Sequence, residues 1–207
     1  MSKNKIHWEN IYKTKDHKKV GWYQESPAIS LELLNKIKAE RTQSIIDVGC
    51  GASVLVDNLI SKGFADVTLV DLSEEALASI KSRLGDKGNI PQYFSIDITK
   101  EIEFPTKFDI WHDRAVFHFL TDVDDRNGYM NNLERNLSLS GHEIIGTFSL
   151  DGPNSCSGLD VVRYDEEKMK LELPKNIELL NSVVSMHIMP SGAEQEYMYF
   201  LIKRKNT

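Results

Sequence analysis

Short apolar runs alternate with amphipathic segments along this chain from Ser44 onward. A short apolar run bounded by turn residues is typical of a buried strand, and apolar residues that recur about every three or four positions are typical of a helix. The pattern predicts strands near residues 44–48, 67–71, 92–96, 108–112, 142–149, 177–188 and 196–203. It predicts helices near residues 53–62, 74–84, 124–138 and 165–172. Such alternation indicates an α/β fold, a mostly parallel sheet with helices on both faces.

The two ends of the chain add detail to this arrangement. The last two predicted strands are separated only by a short turn that contains Pro190-Ser191-Gly192, which suits an antiparallel hairpin. Two further helices are predicted near residues 3–12 and 28–39, ahead of the first strand. We therefore expect a Rossmann-like, doubly wound sheet of seven strands, mostly parallel with an antiparallel last strand.

The length of the chain bounds its domain organisation. A chain of 207 residues can bury about 70% of its unfolded surface in one core, so a second independent domain is not expected. We predict a single domain over residues 1–207. Within it, residues 1–40 should form N-terminal lid helices, and residues 41–207 should form the Rossmann-like core.

Charge and cysteine content exclude some classes of partner. The net charge of −6 argues against broad contact with nucleic acid, which favours a basic surface. Cys50 and Cys156 are too few for a disulfide framework, so a reducing cytoplasm is the simple expectation. No apolar run approaches the ~20 residues that cross a bilayer. We expect a cytoplasmic monomer or weak homodimer that binds neither membranes nor nucleic acid.

The most informative stretch joins the first strand to a glycine turn. After Ile45-Ile46 come Asp47, Gly49 and Gly51. Glycines at the carboxyl end of such a strand allow positive φ and close approach to a nucleotide. Asp47 would repel a pyrophosphate, and Val54 stands where the dinucleotide fingerprint requires its third glycine. An NAD-binding oxidoreductase is thus disfavoured, and an adenosine ligand with a positively charged amino-acid end suits the turn better.

The Asp-x-Gly-x-Gly stretch resembles motif I of the class I methyltransferases that use S-adenosylmethionine (SAM). The resemblance implies SAM as cofactor and S-adenosylhomocysteine (SAH) as product. It also implies a set of cofactor contacts along the chain. The predicted cofactor-binding residues are Trp22, Asp47, Gly49, Gly51, Ser53, Asp71, Leu72, Asp97, Ile98 and Asp113.

Two acids in this set follow predicted strands. Asp71 lies twenty residues after Gly51, the distance at which an acid in such folds reaches the ribose hydroxyls. Asp97 ends the third strand, where an acid in the family accepts a hydrogen bond from the adenine amino group and the backbone of the next residue, here Ile98, meets the ring. The alternative for both acids is that they only solvate a strand end.

The N-terminal segment carries a second resemblance. Residues 7–12 (His-Trp-Glu-Asn-Ile-Tyr), then Gly21-Trp22-Tyr23-Gln24 and Pro27, are similar to the lid of thiopurine S-methyltransferases and of the lysine methyltransferases that modify elongation factor 1A. In those families aromatic residues of this segment cover the methionine end of the cofactor. Trp22 could offer a cation–π contact to the sulfonium, or it could simply pack the lid against the sheet.

Three consecutive ionisable residues, His112-Asp113-Arg114, lie at the carboxyl end of the fourth strand. Asp113 matches an acid at the same place in both methyltransferase groups, and it could orient an amine, receive its proton or fix the lid. We take Asp113 and His112 as the candidate catalytic residues. The alternatives are a salt bridge between Asp113 and Arg114 and a packed structural histidine. No metal is expected, because His112 and His118 are not at zinc-ligand spacing.

The residues leave the methyl acceptor open. A small thiol or other small molecule is favoured by the lid. It is also favoured by Asp113-Arg114-Ala115, which resembles an Asp-Arg-Ala segment of thiopurine S-methyltransferases. A protein lysine would use Asp113 to lose its proton. A small carboxylate could be clamped by Arg114 or Arg163. A SAM-binding module without catalytic activity is the remaining alternative. The Gly-, Pro- and Ser-rich loop over residues 150–164 is expected to contact the substrate.

Overall fold

A computed structural model describes residues 3–206, and its centre is a seven-stranded sheet in the order β3-β2-β1-β4-β5-β9-β8. Strands β1 to β5 are parallel, whereas β9 lies antiparallel between β5 and β8. The predicted mostly parallel sheet with a reversed last strand is therefore confirmed. The strands are β1 (Ile45–Val48), β2 (Val67–Asp71), β3 (Gln92–Ser95), β4 (Phe108–Arg114), β5 (Leu137–Phe148), β6 (Ser155–Cys156), β7 (Leu159–Asp160), β8 (Ile177–Ile188) and β9 (Glu194–Arg204).

Helices cover both faces of this sheet. Apolar side chains of α2, α3 and α4 pack in one core cluster, and those of α5 and α6 pack in the other. In β1 all four residues are buried, and Ile45 joins the first cluster while Ile46 and Val48 join the second, as the alternation of side chains along a strand requires. The helices are α1 (Lys3–Thr14), α2 (Ala28–Lys36), α3 (Leu55–Ser61), α4 (Glu74–Leu84), α5 (Val123–Asn136) and α6 (Glu166–Glu172).

The structure differs from the predicted elements in a few places. β5 begins at Leu137, so the predicted helix ends two residues too late and the predicted strand starts five residues too late. A guanidinium nitrogen of Arg204 in β9 donates to the carbonyl oxygens of Glu134 and Leu137, which fixes this junction from outside the local sequence. The β6–β7 hairpin was not predicted. None of the helices within residues 3–206 is long and apolar enough to cross a bilayer.

Candidate active site

The glycine turn after β1 has the backbone that its sequence requires. Gly49 and Gly51 have φ of +59° and +54°. A Cβ atom on Gly49 would lie 1.9 Å from a methyl carbon of Val116, and one on Gly51 would lie 2.2 Å from the hydroxyl oxygen of Tyr12. Both positions therefore need glycine for two independent reasons, the left-handed conformation and the lack of space.

Arg83, near the end of α4, holds the outer side of this turn. Its two terminal nitrogens donate to the carbonyl oxygens of Ala52 (2.9 Å) and Ser53 (2.5 Å), and it forms a two-point ion pair with Asp57 of α3. A planar guanidinium is suited to such multiple contacts. Arg83 was not predicted from the sequence, because no motif marks it. It is one of two basic residues in the last turn of an amphipathic helix.

Asp71, at the end of β2, lines the same cavity as the glycine turn. One carboxylate oxygen accepts the backbone N–H of Gly51 at 2.8 Å, and the other accepts that of Ser73 at 2.8 Å. Burial raises the pKa of Asp71 from its ordinary 3.8 to about 6, although these two N–H donors act to lower it. Each oxygen keeps a lone pair for a further donor, so the group can still accept from a ligand hydroxyl.

The raised pKa of Asp71 predicts a pH-dependent stability. A carboxyl with a raised folded-state pKa stabilises the fold below its unfolded pKa, and this contribution is lost as pH rises through the folded value. We expect the ligand-free protein to lose up to about 3 kcal/mol of unfolding free energy relative to Asp71→Asn between about pH 4 and pH 7. Urea unfolding of both proteins across this range measures the difference. A difference that does not vary with pH would contradict the assignment.

A line of hydrogen bonds crosses the wall of the cavity from β1 to α2. The ring Nδ1 of His112 lies 2.7 Å from Oδ1 of Asp47, and its Nε2 lies 2.8 Å from the hydroxyl oxygen of Ser30. All three side chains are buried and line the cavity. In a neutral ring, Nδ1–H donates to the carboxylate and Nε2 accepts from the serine hydroxyl. Ser30 was not predicted from the sequence.

The second carboxylate oxygen of Asp47 indicates whether the cavity suits a cationic ligand. This Oδ2 atom is buried and has no hydrogen-bond partner among the described residues. A buried charged oxygen without a partner is costly, so a donor from a ligand in the cavity would relieve it. The position fits the positively charged amino-acid end that the sequence analysis expected beside the glycine turn.

The remaining predicted cofactor residues also lie on the cavity wall, apart from Asp113. Asp97 follows β3, and its Oδ1 accepts from the backbone N–H (3.1 Å) and the hydroxyl (2.7 Å) of Thr99. The hydroxyl of Ser53 accepts the backbone N–H of Leu55, the first residue of α3. Except for Asp113, the predicted set is brought together around this one cavity. Its members on the wall are Trp22, Asp47, Gly49, Gly51, Ser53, Asp71, Leu72, Asp97 and Ile98.

Asp113 is not on the cavity wall. Its side chain is fully buried, and its two oxygens accept the backbone N–H groups of Val116 (3.0 Å) and Phe117 (3.1 Å). Burial raises the pKa of this carboxyl to about 7. Because side chains alternate along a strand, His112 and Arg114 face the cavity while the residue between them faces the other side of the sheet. This geometry does not support direct contact between Asp113 and an acceptor, and no ion pair joins it to Arg114 among the described residues.

Asp113 instead shapes the turn that follows β4. Ala115 has φ of +67°, which is uncommon for a residue with a side chain, and the two N–H groups bound by Asp113 come directly after it. This turn carries the Val116 methyl group that packs on Gly49. Asp113 therefore fixes the backbone of the turn after β4, which packs against the glycine turn.

Aromatic residues of the N-terminal segment cover the cavity. The ring centroid of Trp22 lies 5.6 Å from that of Trp8 and 6.4 Å from that of Tyr12, and Trp8 lies 5.0 Å from Phe119. All four residues line the cavity. Trp22 thus packs the lid together and also forms part of the cavity wall, and its cation–π contact to a sulfonium stays a prediction.

Two side chains fasten this lid to the core. A terminal nitrogen of Arg114 donates to the carbonyl oxygen of Trp22 at 2.9 Å, and Nε2 of His187 lies 2.7 Å from the carbonyl oxygen of Gly21. Arg163, the other predicted clamp, is not on the cavity wall and donates to the carbonyl oxygens of its own loop. No cluster of three potential metal ligands occurs in the part of the chain that the structure describes.

Comparison with known proteins identifies a family. Residues 39–205 match the family model described as a methyltransferase domain. The "eEF1A lysine and N-terminal methyltransferase" of Bos taurus is 26% identical over 122 residues, which is 58% of this chain and 17% of that protein. This chain therefore aligns with less than a fifth of that relative's length.

Solved structures show the same fold. A structure described as the conversion of a disulfide bond into a thioacetal group during echinomycin biosynthesis has a TM-score of 0.76 and 16% identity, covering 97% of this chain and 91% of that chain. The N-methyltransferase NodS of Bradyrhizobium japonicum, solved in complex with SAH, has a TM-score of 0.68 and 14% identity, covering 96% and 98%.

Proposed function

This chain belongs to the class I SAM-dependent methyltransferases, and on that premise we propose that it methylates a small molecule, with a thiol the favoured acceptor. SAM is the cofactor, and it supplies a methyl group already activated by a positively charged sulfur. In such a displacement the enzyme contributes mainly proximity and orientation, which are worth up to about 7–11 kcal/mol. The structure bears on two further points, the methyl acceptor and the residues that act on it.

The order of strands arranges the proposed cofactor contacts along one edge of the sheet. Asp97 follows β3, Asp71 ends β2, and the glycine turn follows β1, which are neighbouring strands in that order. We assign Asp97 and Ile98 to the adenine and Asp71 to the ribose hydroxyls. The unpartnered oxygen of Asp47 is assigned to the cofactor ammonium. With the adenine beside β3 and the ribose beside β2, the reacting end of the cofactor lies beside β4.

The lid over that reacting end is the observation that carries the proposal. The segment around Trp22 is fastened to the core through Arg114 and His187, and its aromatic side chains line the cavity. A small acceptor can be enclosed under such a lid, which also keeps water from the reacting atoms. A lysine on a folded protein would need a channel wide enough for its side chain.

His112 is the proposed recipient of the acceptor's proton. In the neutral ring Asp47 accepts from Nδ1–H and Ser30 donates to Nε2, so the serine hydroxyl would take the acceptor's proton on Oγ as it passes its own proton to Nε2. A thiol requires little help, because it is readily deprotonated near neutral pH and the thiolate is the nucleophile. The relay would matter more for an amine or a hydroxyl acceptor.

A protein lysine is the second candidate. It is favoured by the printed activity of the eEF1A relatives, which are matched over 58% of this chain. A lysine amine must lose its proton before attack, and the histidine relay could accept it.

Transfer of a labelled methyl group separates the two acceptor classes. The enzyme is incubated with SAM bearing a deuterated methyl group and a lysate, which is then split into small molecules and protein. Mass spectrometry should find the label in molecules below about 1 kDa, the size range of ligands that a cavity can enclose. Label confined to lysine side chains would contradict the proposal and support the alternative.

A further inference from the structure

We propose that Arg114 binds an anionic group of the methyl acceptor, so that the substrate is a small molecule that carries a carboxylate or another compact anionic group in addition to the atom that is methylated. This inference rests on the proposed transfer to a small molecule and narrows its substrate class. Arg114 ends β4, lines the cavity and touches the lid. It thus lies where the acceptor and the closed lid meet.

Arg114 has no counter-ion among the residues that the structure describes. The Nε of Arg114 donates to the hydroxyl oxygen of Tyr199 at 3.0 Å, one terminal nitrogen donates to the Trp22 carbonyl, and the guanidinium lies 4.6 Å from the ring centroid of Tyr197. These partners are all neutral. No described carboxylate lies within 4.0 Å of its nitrogens. The guanidinium stays charged at any ordinary pH, and a buried charge without a partner is costly.

One polar atom of this guanidinium also lacks a partner. The buried Nη2 of Arg114 has no hydrogen bond to any described residue. Cys156 lies on the same cavity wall, but burial raises the pKa of its thiol to about 11, so it remains neutral and does not balance the charge. An anion that accepts from Nη2 would supply the charge and the hydrogen bond together.

The anion could come from the acceptor or from the carboxylate of the cofactor, and the sheet order favours the acceptor. The strands run β1-β4-β5-β9 from the glycine turn outward. Arg114 contacts Tyr197 and Tyr199, both on β9. Its side chain therefore leans away from β1, where the unpartnered oxygen of Asp47 is assigned to the cofactor's amino-acid end.

The test measures binding of benzoate and of its neutral analogue benzamide to the SAH complex by calorimetry. We expect benzoate to bind at least about tenfold more tightly than benzamide to the wild type, the scale of one charge-assisted contact. Arg114→Gln should remove this preference. Arg163→Gln, which removes a loop guanidinium outside the cavity wall, should keep it. Equal binding of the two probes to the wild type, or an unchanged preference in Arg114→Gln, would overturn the inference.

A second comparison distinguishes the two sources of the anion. SAH carries the amino-acid carboxylate and 5′-methylthioadenosine lacks it. If Arg114→Gln weakens SAH at least about tenfold and leaves 5′-methylthioadenosine unchanged, the anion belongs to the cofactor and the inference is overturned. Should Arg114→Gln fail to fold, Arg114→Lys keeps the charge without the planar fork, and a reduced benzoate preference is expected. Because no turnover is needed, a failed methyl transfer would contradict the proposed function without affecting this result.

Discussion

Gly51→Val is expected to reduce SAH affinity at least about 100-fold while leaving a folded protein, since it combines backbone strain with a steric clash at the cofactor turn. Gly51 has φ of +54°, and an added Cβ would lie 2.2 Å from the hydroxyl oxygen of Tyr12. The clash would force the turn, the lid or both to move. Calorimetric titration of SAH into the variant measures the loss.

Gly85 provides a matched control for this substitution. It has a nearly equal φ of +56°, but an added Cβ there would meet no atom within 4 Å. Gly85→Val should therefore also suffer backbone strain, because φ of +56° with ψ of −125° disfavours a side chain, but it should keep its SAH affinity within a few fold. If the two variants lost affinity equally, strain alone would explain the effect and the turn would have no specific part in binding.

His112→Gln is expected to lower turnover by about 10²–10⁴-fold on an acceptor that must lose a proton, the usual range for a lost acid–base group. The ring is held by Asp47 on one side and Ser30 on the other, so glutamine can replace one hydrogen bond without providing a base. SAH affinity should change only a few fold. Initial rates of SAH formation across pH, on the acceptor that carries the methyl label, measure the effect.

His142→Gln is the control for the histidine relay, because His142 is half-buried on β5 and does not line the cavity. Its turnover should match the wild type. A loss in His112→Gln that high pH restores would support proton transfer. Wild-type turnover in His112→Gln at every pH would show that the ring has a structural part only.

Strands β1, β2 and β4 could be predicted because they are short, mostly buried and bounded by turn residues. The capped start of α4 could also be predicted, since Ser73 accepts from the backbone N–H of Ala76 and two acids follow it. The start of β5 could not be predicted, because Arg204 fixes it from a strand far along the chain. Local pattern contains no information on such a contact.

The candidate site, like the fold, could be predicted only in part. The glycine turn and Asp71 were predicted from their sequence and spacing, and Asp97 and Ile98 from the resemblance to class I methyltransferases; all of them line the cavity. Asp113 was predicted to contact the cofactor and the acceptor, but its side chain lies off the cavity wall, because the sequence gives the position of a strand end but not which alternate residue faces the ligand. Ser30 and Arg83 were missed, since each acts through tertiary contacts that no motif marks.

Calorimetric titration of SAH into the wild-type protein and into Asp71→Ala measures whether this cavity binds the cofactor through Asp71. Asp71 faces the cavity between Gly51 and Ser73, and its loss removes a charged acceptor worth about 1.5–3 kcal/mol to ligand hydroxyls. The account predicts one SAH site with a dissociation constant in the micromolar range, weakened about 10- to 100-fold by the substitution. Tight NAD binding without SAH binding, or an unchanged SAH affinity in Asp71→Ala, would contradict it.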